Sequence, residues 1–496
     1  MSGMPLPTGI YTADQVRALD RHAIETCGIA SYTLMNRAAT AAFEVLLAQW
    51  PLARRVLVLC GSGNNGGDGY VLARLAAAAG LDVVAIALAP RERLRDDALR
   101  AYEDAEAAGV PIRPFNIFDF AGTDVVVDAM FGTGLDRPVD PAMSAVIERV
   151  NKCGLPVLSL DVPSGLHSDT GHVMGCAVHA TRTVSFVGMK LGCHVGQGPA
   201  YCGELHFSDL GIPPREVELD PPALERLDPA LLSELLAPRA RDAHKGLFGH
   251  VLVVGGGLGM PGAVRLSAEA CLRSGAGLVS AATRGRNVEA VMAGRPELMV
   301  HSVDDVSRLG ELLVRADIVV LGPGLGRDAW AEEVFDVAMR ADKPMVVDAD
   351  ALNLLSAKPM RREDWVLTPH PGEAARLLMS DVPGIQEDRL SALFLLVERY
   401  GGVVVLKGAG TLIGSTGRIP CVCPFGNPGM ATAGMGDVLT GVIGGLLAQH
   451  LEPWSAARGG VLAHALAGDG AAEQGERGLV ASDLFGPLRT CLNPKP

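Results

Sequence analysis

No C-x-x-C pair occurs in the chain: its 10 cysteines are scattered, and the closest two, Cys421 and Cys423, form only a C-x-C arrangement. That leaves no redox or zinc spacing, and reduced, mostly buried thiols are expected. Long apolar runs are missing too, since no segment offers about 18 uncharged apolar residues in a row. Met1 to Thr12 has neither the basic run nor the apolar core of a signal peptide. A cytoplasmic location without a membrane partner is expected. Positive charge is scarce, with 43 Lys and Arg against 56 Asp and Glu and a formal net charge of -13. That excludes roles resting on broad attraction to nucleic acid or anionic lipid. Local anion sites survive, because backbone N–H groups can build them.

What is present is enough for more than one core. At 496 residues the chain exceeds the size at which a single core keeps growing, so two domains are the simplest expectation. The composition, 48% hydrophobic and 20% charged, is that of a globular protein, and 60 Gly and 32 Pro are spread without a repeat. Thr12-x-x-Gln15 reads as a capping box, followed by Val16, Leu19 and Ala23 at helical spacing. Apolar runs then alternate with helical stretches: Arg55 to Cys60, Asp82 to Leu88, Asp124 to Asp128 and Pro156 to Asp161. Their continuity predicts strands buried on both faces of a parallel sheet. Three lead into polar or Gly-rich loops, Gly61 to Gly69, Asp128 to Pro138 and Asp161 to Gly165, which are candidates for one shared site. A Pro-rich seam runs from Gly211 to Ala243, through Pro213-Pro214, Asp220-Pro221-Pro222 and Ala237-Pro238, around short helical fragments such as Pro229 to Leu236. A second series follows: His250 to Gly255, Asp317 to Gly322, Pro344 to Asp348 and Gly402 to Lys407. Both halves read as α/β, with residues 1–215 and 241–496 as domains and 216–240 as linker.

The densest pattern of the second half is Gly426 to Asp437, ending Ala433-Gly434-Met435-Gly436-Asp437. A Gly-rich loop opening a helix aims N–H groups and the positive end of the helix dipole at an anion. A carboxylate there needs a task, and taking the proton of a hydroxyl that attacks phosphate is one. The bland alternative is an Asp N-cap. Three further blocks stand with it, Gly322-Pro323-Gly324-Leu325-Gly326, Thr368-Pro369-His370-Pro371-Gly372-Glu373 and Lys407-Gly408-Ala409-Gly410-Thr411, each of which alone is a possible turn. Together with His244-Lys245-Gly246 through Gly262-Ala263, this ordered set resembles the ribokinase-like superfamily, and specifically its NAD(P)H-hydrate dehydratase branch. The resemblance covers essentially the whole second half and implies a ribokinase-like α/β domain. It implies that a C6 hydroxyl on the hydrated nicotinamide ring is phosphorylated and then lost as phosphate, with Asp437 taking the hydroxyl proton. By the same resemblance, Lys407, Gly408, Ala409, Gly410, Thr411 and Gly436 touch ADP or ATP, with ADP preferred, and Mg²⁺ accompanies the nucleotide. Ala263, Gly324 and His370 then line the hydrated-cofactor site with Asp437, although His370 also reads as a turn histidine satisfied by backbone.

In the first half, Gly61-Ser62-Gly63-Asn64-Asn65-Gly66-Gly67-Asp68-Gly69 follows a strand and precedes a helix expected from Tyr70 to Ala79. It lacks the G-x-G-x-x-G fingerprint and the Lys-Ser/Thr of a Walker loop. Amide and carboxylate chemistry at Asn64, Asn65 and Asp68 stands in their place. Asp128, and Asp161 with Ser164, add oxygen donors at two more strand ends; without Cys or His, such a set suits a hard cation. These blocks resemble the NAD(P)H-hydrate epimerase family from about Tyr11 to Gly211, which implies a Rossmann-like three-layer sandwich. The resemblance implies K⁺ at Asn65, Asp128 and Ser164. It also implies that the hydrated cofactor meets Asn64, Asn65, Gly66, Gly67, Asp68, Gly132, Thr133, Gly134, Leu135, Asp136, Arg137, Pro138 and Asp161. Asp161 is the candidate acid/base group for inversion at C6, its alternative being a structural carboxylate organising the Pro163-Ser164-Gly165 turn. Lys190 is a secondary candidate.

The whole reading is a two-domain α/β enzyme, an isomerase fused to a lyase, acting on NAD(P)H hydrate and ADP or ATP, and a homo-oligomer is expected. The competing expectations are a ribokinase-like small-molecule kinase fused to a nucleotide-binding domain, and a regulatory or binding protein whose first half senses a nucleotide or RNA-derived ligand.

Overall fold

The computed structural model describes residues 6–115, 119–212 and 221–494. Of the sequence readings, Met1 to Pro5 and the seam residues Pro213, Pro214 and Asp220 lie outside them. The chain divides into two units, Met1–Glu225 and Arg226–Pro496. Within the expected linker, helix Ala230–Leu235 belongs to the second unit, where Leu231 and Leu232 join the core. Among the described residues no helix is long and apolar enough to cross a membrane.

The first unit contains β1 (Gly9–Tyr11), β2 (Arg55–Cys60), β3 (Asp82–Ala87), β4 (Ile112–Pro114), β5 (Val125–Ala129), β6 (Val157–Leu160), β7 (Arg182–Phe186), β8 (Met189–Lys190) and β9 (Glu204–Ser208). Seven of these form a sheet in the order β4-β3-β2-β5-β6-β7-β9, parallel throughout. Alternate residues of each strand feed opposite faces. Val56, Val58, Val125 and Val127 pack with Leu34, Ala42, Leu72 and Ala101 of three helices, whereas Leu57, Leu59 and Val126 pack with Val146, Ile147 and Val150 of another. The result is the three-layer sandwich, and it explains why these strands read as continuous apolar runs. The order reverses between β2 and β5, the switch point where such sheets bind ligands. Gly61 is needed there because a Cβ on it would lie 1.9 Å from the Met130 carbonyl oxygen.

The capping box forms as the sequence predicts: Gln15 N–H donates to Thr12 Oγ1 at 3.2 Å and Thr12 N–H to Gln15 Oε1 at 3.0 Å, opening helix Ala13–Glu25. β1 pairs with β8 in a register that sets Tyr11 opposite Lys190, and so brings this helix beside the site. The helix expected from Tyr70 to Ala79 begins at Asn64 and ends at Ala78. Only Gly61 to Gly63 remain as a turn, and the Asn-Asn-Gly-Gly-Asp run occupies the first helical turns.

After β10 (Leu224–Arg226), the second unit has β11 (His250–Val254), β12 (Leu278–Thr283), β13 (Met299–Ser302), β14 (Ile318–Leu321), β15 (Met345–Val347), β16 (Trp365–Leu367), β17 (Val403–Leu406), β18 (Thr411–Ser415) and β19 (Cys421–Cys423). Their order is β13-β12-β11-β14-β15-β16-β17-β18-β19, parallel up to β17 and antiparallel beyond it. Val251, Val253, Val320 and Val346 pack against helices Pro261–Arg273, Met435–Ala448 and Pro453–Ala471. The switch point lies between β11 and β14. A Cβ on Gly255 would sit 2.1 Å from the Pro323 carbonyl oxygen, the same close approach that Gly61 makes in the first unit.

Candidate functional site

In the first unit a cavity of about 820 Å³ opens at the β2/β5 switch point. Asn64, Asn65, Asp68, the whole Gly132 to Pro138 loop, Asp161 and Lys190 line it, and so does Asp20. Gly66 and Gly67 are buried in the helix and do not reach the wall. The loops named from sequence therefore do converge. Asp161 has φ +69, a conformation a non-Gly residue holds only when its surroundings fix it. Those surroundings are Lys190, whose Nζ donates to Asp161 Oδ1 and, at 2.6 Å, to the Phe186 carbonyl, and the Asp161 N–H bond to Val184 O at 2.7 Å. Lys190 is only 1% exposed, so its charge is effectively committed to the carboxylates around it.

Two of those carboxylates carry raised pKa values. Burial, reinforced by Asp161 and opposed by Lys190, pushes Asp20 up to about 6. Burial together with the Asp161 and Asp20 charges holds Asp68 well above the ordinary carboxylate range. Asp20 was missed in the sequence. Its signal was a carboxylate four residues after Val16 and three before Ala23, on the apolar stripe of the first helix.

The Pro163-Ser164-Gly165 turn is organised not by Asp161 but by Asp128. Asp128 is fully buried and accepts from Ser164 Oγ at 2.5 Å, Ser164 N at 2.9 Å, Ser159 Oγ at 2.8 Å and Met130 N at 3.2 Å. Beside it, Asn65 Nδ2 donates to the Phe131 carbonyl at 2.9 Å while Asn65 Oδ1 is buried with no hydrogen-bond partner.

In the second unit the loops after β11, β14, β15, β16 and β17 gather at the carboxyl edge of the sheet, where helix Met435–Ala448 begins. Its N-cap is Gly434, at φ +91 and without a side-chain cap, so Asp437 stands in the first turn and is not the cap. Burial and the nearby Asp348 and Asp350, opposed by Lys407, push Asp437 up to about 7. Lys407 Nζ lies 2.6 Å from Asp348 Oδ1 and 3.7 Å from Glu373 Oε2. Burial pulls that ammonium down, but Asp348, Glu373 and Asp437 outweigh it and its pKa is raised. Thr440 Oγ1 donates to Asp348 Oδ2 at 2.6 Å. Gly436 lies directly against this pair: a Cβ on it would make ordinary van der Waals contact, 3.4 Å from Lys407 Nζ and 3.6 Å from Asp348 Oδ2.

Ala263 and Gly324 face one another closely, a Cβ on Gly324 falling 2.9 Å from that of Ala263. His370 does what the bland reading held: its Nδ1 accepts from Gly372 N at 3.0 Å and Glu373 N at 3.4 Å, capping helix Pro371–Leu378. That fixes the ring with Nε2 on the other side, 3.4 Å from Glu373 Oε1. Asp348, Glu373 and His464 belong to this neighbourhood but were not singled out from sequence. Asp348 had a signal, since like Asp128 and Asp161 it ends a buried strand. His464 had none: it meets the Met435 carbonyl from a distant helix, at 3.0 Å, and burial lowers its pKa to about 4.

Both halves match known families. Residues 251–488 fit the NAD(P)H-hydrate dehydratase family, and residues 31–192 fit the YjeF-related protein N-terminus family. A bifunctional NAD(P)H-hydrate repair enzyme of Coxiella burnetii is 50% identical over 491 residues, 98% of this chain and 100% of that one. The chain belongs to the bifunctional NAD(P)H-hydrate repair enzyme family. Another member, from Escherichia coli, is 43% identical across 99% of this chain and 95% of its own. A ribokinase-like superfamily protein from Enterococcus faecalis, solved as a crystal structure, is 31% identical with a TM-score of 0.52, over 56% of this chain and 98% of its own. The two family matches thus fall one in each α/β unit, and each unit has its candidate site at its own switch point.

Proposed function

We propose that this chain repairs hydrated NADH and NADPH in two reactions. Residues 1–215 interconvert the R and S forms at C6, and residues 241–496, after a linker at 216–240, return the S form to NAD(P)H with a phosphoryl group from ADP or ATP. The observation that carries the reading is Asp437, a carboxylate in the first turn of a Gly-capped helix with its pKa raised into the neutral range. Asp437 takes the proton from the C6 hydroxyl as that oxygen attacks the terminal phosphorus and the bond to the nucleotide's leaving oxygen breaks. Amides near Gly434 to Gly436 stabilise charge on the transferred group. The ring nitrogen then expels phosphate, and loss of the C5 proton restores the C5–C6 double bond. Lys407, Gly408, Ala409, Gly410, Thr411 and Gly436 take the nucleotide, while Ala263, Gly324, His370 and Asp437 take the hydrated cofactor. Mg²⁺ is assigned to the nucleotide phosphates, whose oxygens suit a hard cation.

For epimerisation, Asp161 manages the proton as the C6 oxygen leaves and returns, and Lys190 holds that carboxylate in place. Asn65, Asp128 and Ser164 fit K⁺ on one feature, the buried and unpartnered Asn65 Oδ1 next to other oxygens. An ion there would supply a fixed positive charge suited to hard oxygen donors.

The test uses separately prepared R and S hydrates with ADP or ATP. The S form should regain the absorbance of the reduced nicotinamide directly, and the R form should do so only after passing through S. A lasting phosphorylated product from another alcohol, with no recovery from either hydrate, would establish a kinase instead.

A further inference from the structure

Arg389, the first residue of helix Arg389–Tyr400, is 2% exposed. No carboxylate among the described residues forms an ion pair with it. Its hydrogen bonds run instead to four carbonyls around one loop: Nη1 donates to Ala409 O at 3.1 Å, and Nη2 to Leu406 O at 3.1 Å, Lys407 O at 3.3 Å and Gly410 O at 3.3 Å. Its Nε has no partner. Burying a charge against dipoles alone is costly, so such an arrangement persists only where something else gains from it. Burial lowers the guanidinium only to about 10, which leaves it charged at neutral pH.

The loop's backbone shows where the gain lies. A trans peptide carries its N–H opposite its C=O, so turning the carbonyls of Lys407 and Ala409 onto the guanidinium turns the N–H groups of Gly408 and Gly410 away from it; the Gly408 N–H meets Thr411 Oγ1 at 3.3 Å within the loop, which leaves the Gly410 N–H as the group directed outward. Gly408 and Ala409 are exposed on that outer side. Gly408 has φ +151 and a Cβ on it would fall 2.3 Å from Arg389 Nη1, so loop and guanidinium are shaped to each other. The Gly410 N–H and the Thr411 hydroxyl, backed by a buried positive charge, are groups suited to anionic oxygens.

We propose that Arg389 is the positioning residue of this loop: by gathering its carbonyls it turns the opposite, N–H side of the loop toward the phosphates of a nucleoside di- or triphosphate. The inference rests on the reading of Lys407 to Thr411 as the nucleotide loop. The experiment compares Arg389→Met, Arg389→Lys and Gly408→Ala with the parent chain, using ADP and the S hydrate. In Arg389→Met the KM for ADP should rise at least about tenfold, the loss expected when one charged hydrogen-bonding group is removed, while kcat and the KM for the hydrate move less than about threefold. Arg389→Lys keeps the charge without the planar fork and should fall between.

An unmoved ADP KM in folded Arg389→Met, with a raised one in Gly408→Ala, would overturn the inference but leave the nucleotide-loop reading. An ADP KM unmoved in both would sink that reading as well. Equal losses for ADP and hydrate, or failure of both Arg389 variants to fold, would make Arg389 a general structural residue and overturn the inference.

Discussion

The two sites sit at the same place in two unlike sheets, each at a strand-order reversal where a Gly lets two loops touch, yet their charges are arranged for different tasks. In the first unit one buried lysine is shared among Asp161, Asp20 and Asp68, a set with more carboxylate than cation, which keeps protons within reach. In the second, Lys407 is tied to Asp348, Arg389 is buried against the carbonyls of the loop that follows β17, and a helix start adds its own partial positive charge. The first suits moving a proton and an oxygen on one ring carbon; the second suits moving a phosphoryl group. A shared location sets where chemistry occurs, and the local balance of charge sets which chemistry it is.

The sharpest way to break that comparison is Asp437→Asn. It removes the proton acceptor without changing the size of the side chain. Dehydration of the S hydrate should fall about 10³-fold, the range expected for loss of a general base. Interconversion of R and S, followed by chromatography, should be unchanged. Retained dehydration would take Asp437 out of the chemistry, and a parallel loss of epimerisation would mean that the two sites do not work separately.

Much of this division is legible in the sequence because it rides on strand ends. A buried strand is a continuous apolar run, and the first polar residue after it falls at the carboxyl edge, so Asp128, Asp161 and the loops after β2, β5, β11, β14 and β17 can be placed without coordinates. Residues delivered from elsewhere are harder. Asp20 reaches its site only because Tyr11 pairs opposite Lys190, a register between short strands nearly 180 residues apart that no local pattern encodes. Arg389 and His464 act from helix positions whose neighbours read as ordinary amphipathic sequence, and their partners are main-chain carbonyls, which leave no trace in residue identity. The helix that begins at Asn64 is expected from the sequence only at Tyr70, because a run of Asn and Gly favours turns by propensity. Tertiary packing at the switch point overrides that preference here.

The reciprocal change is Asp161→Asn. It leaves Lys190 facing an amide and should slow epimerisation about 10²-fold. Dehydration of pure S hydrate by the same preparation should keep its rate, which also shows that the chain has folded. If R and S still interconvert at the parent rate, the acid/base role passes to another member of the cluster, and Asp20 and Asp68 become the groups to change.

The smallest effect expected, and the one most particular to the second site, is on pH. Asp437 must be ionised to accept a proton, and with its pKa raised to about 7 the kcat/KM for dehydration should fall about tenfold per pH unit below neutrality. Stability runs the other way. In the unfolded chain this carboxyl returns to its ordinary value of about 3.9, so from there up to pH 7 the folded state holds a proton that the unfolded state has released. Its contribution is complete below the unfolded value and is lost as pH rises through the folded one. Glu373 is raised by the same burial and acts in the same direction, so the comparison must be made against Asp437→Asn and not against theory. Between pH 5 and 8 the melting temperature of the second unit should decline more in the parent chain than in the variant. Equal slopes would mean that Asp437 titrates like an exposed carboxylate, and then the ionised form that dehydration requires would carry no cost in stability.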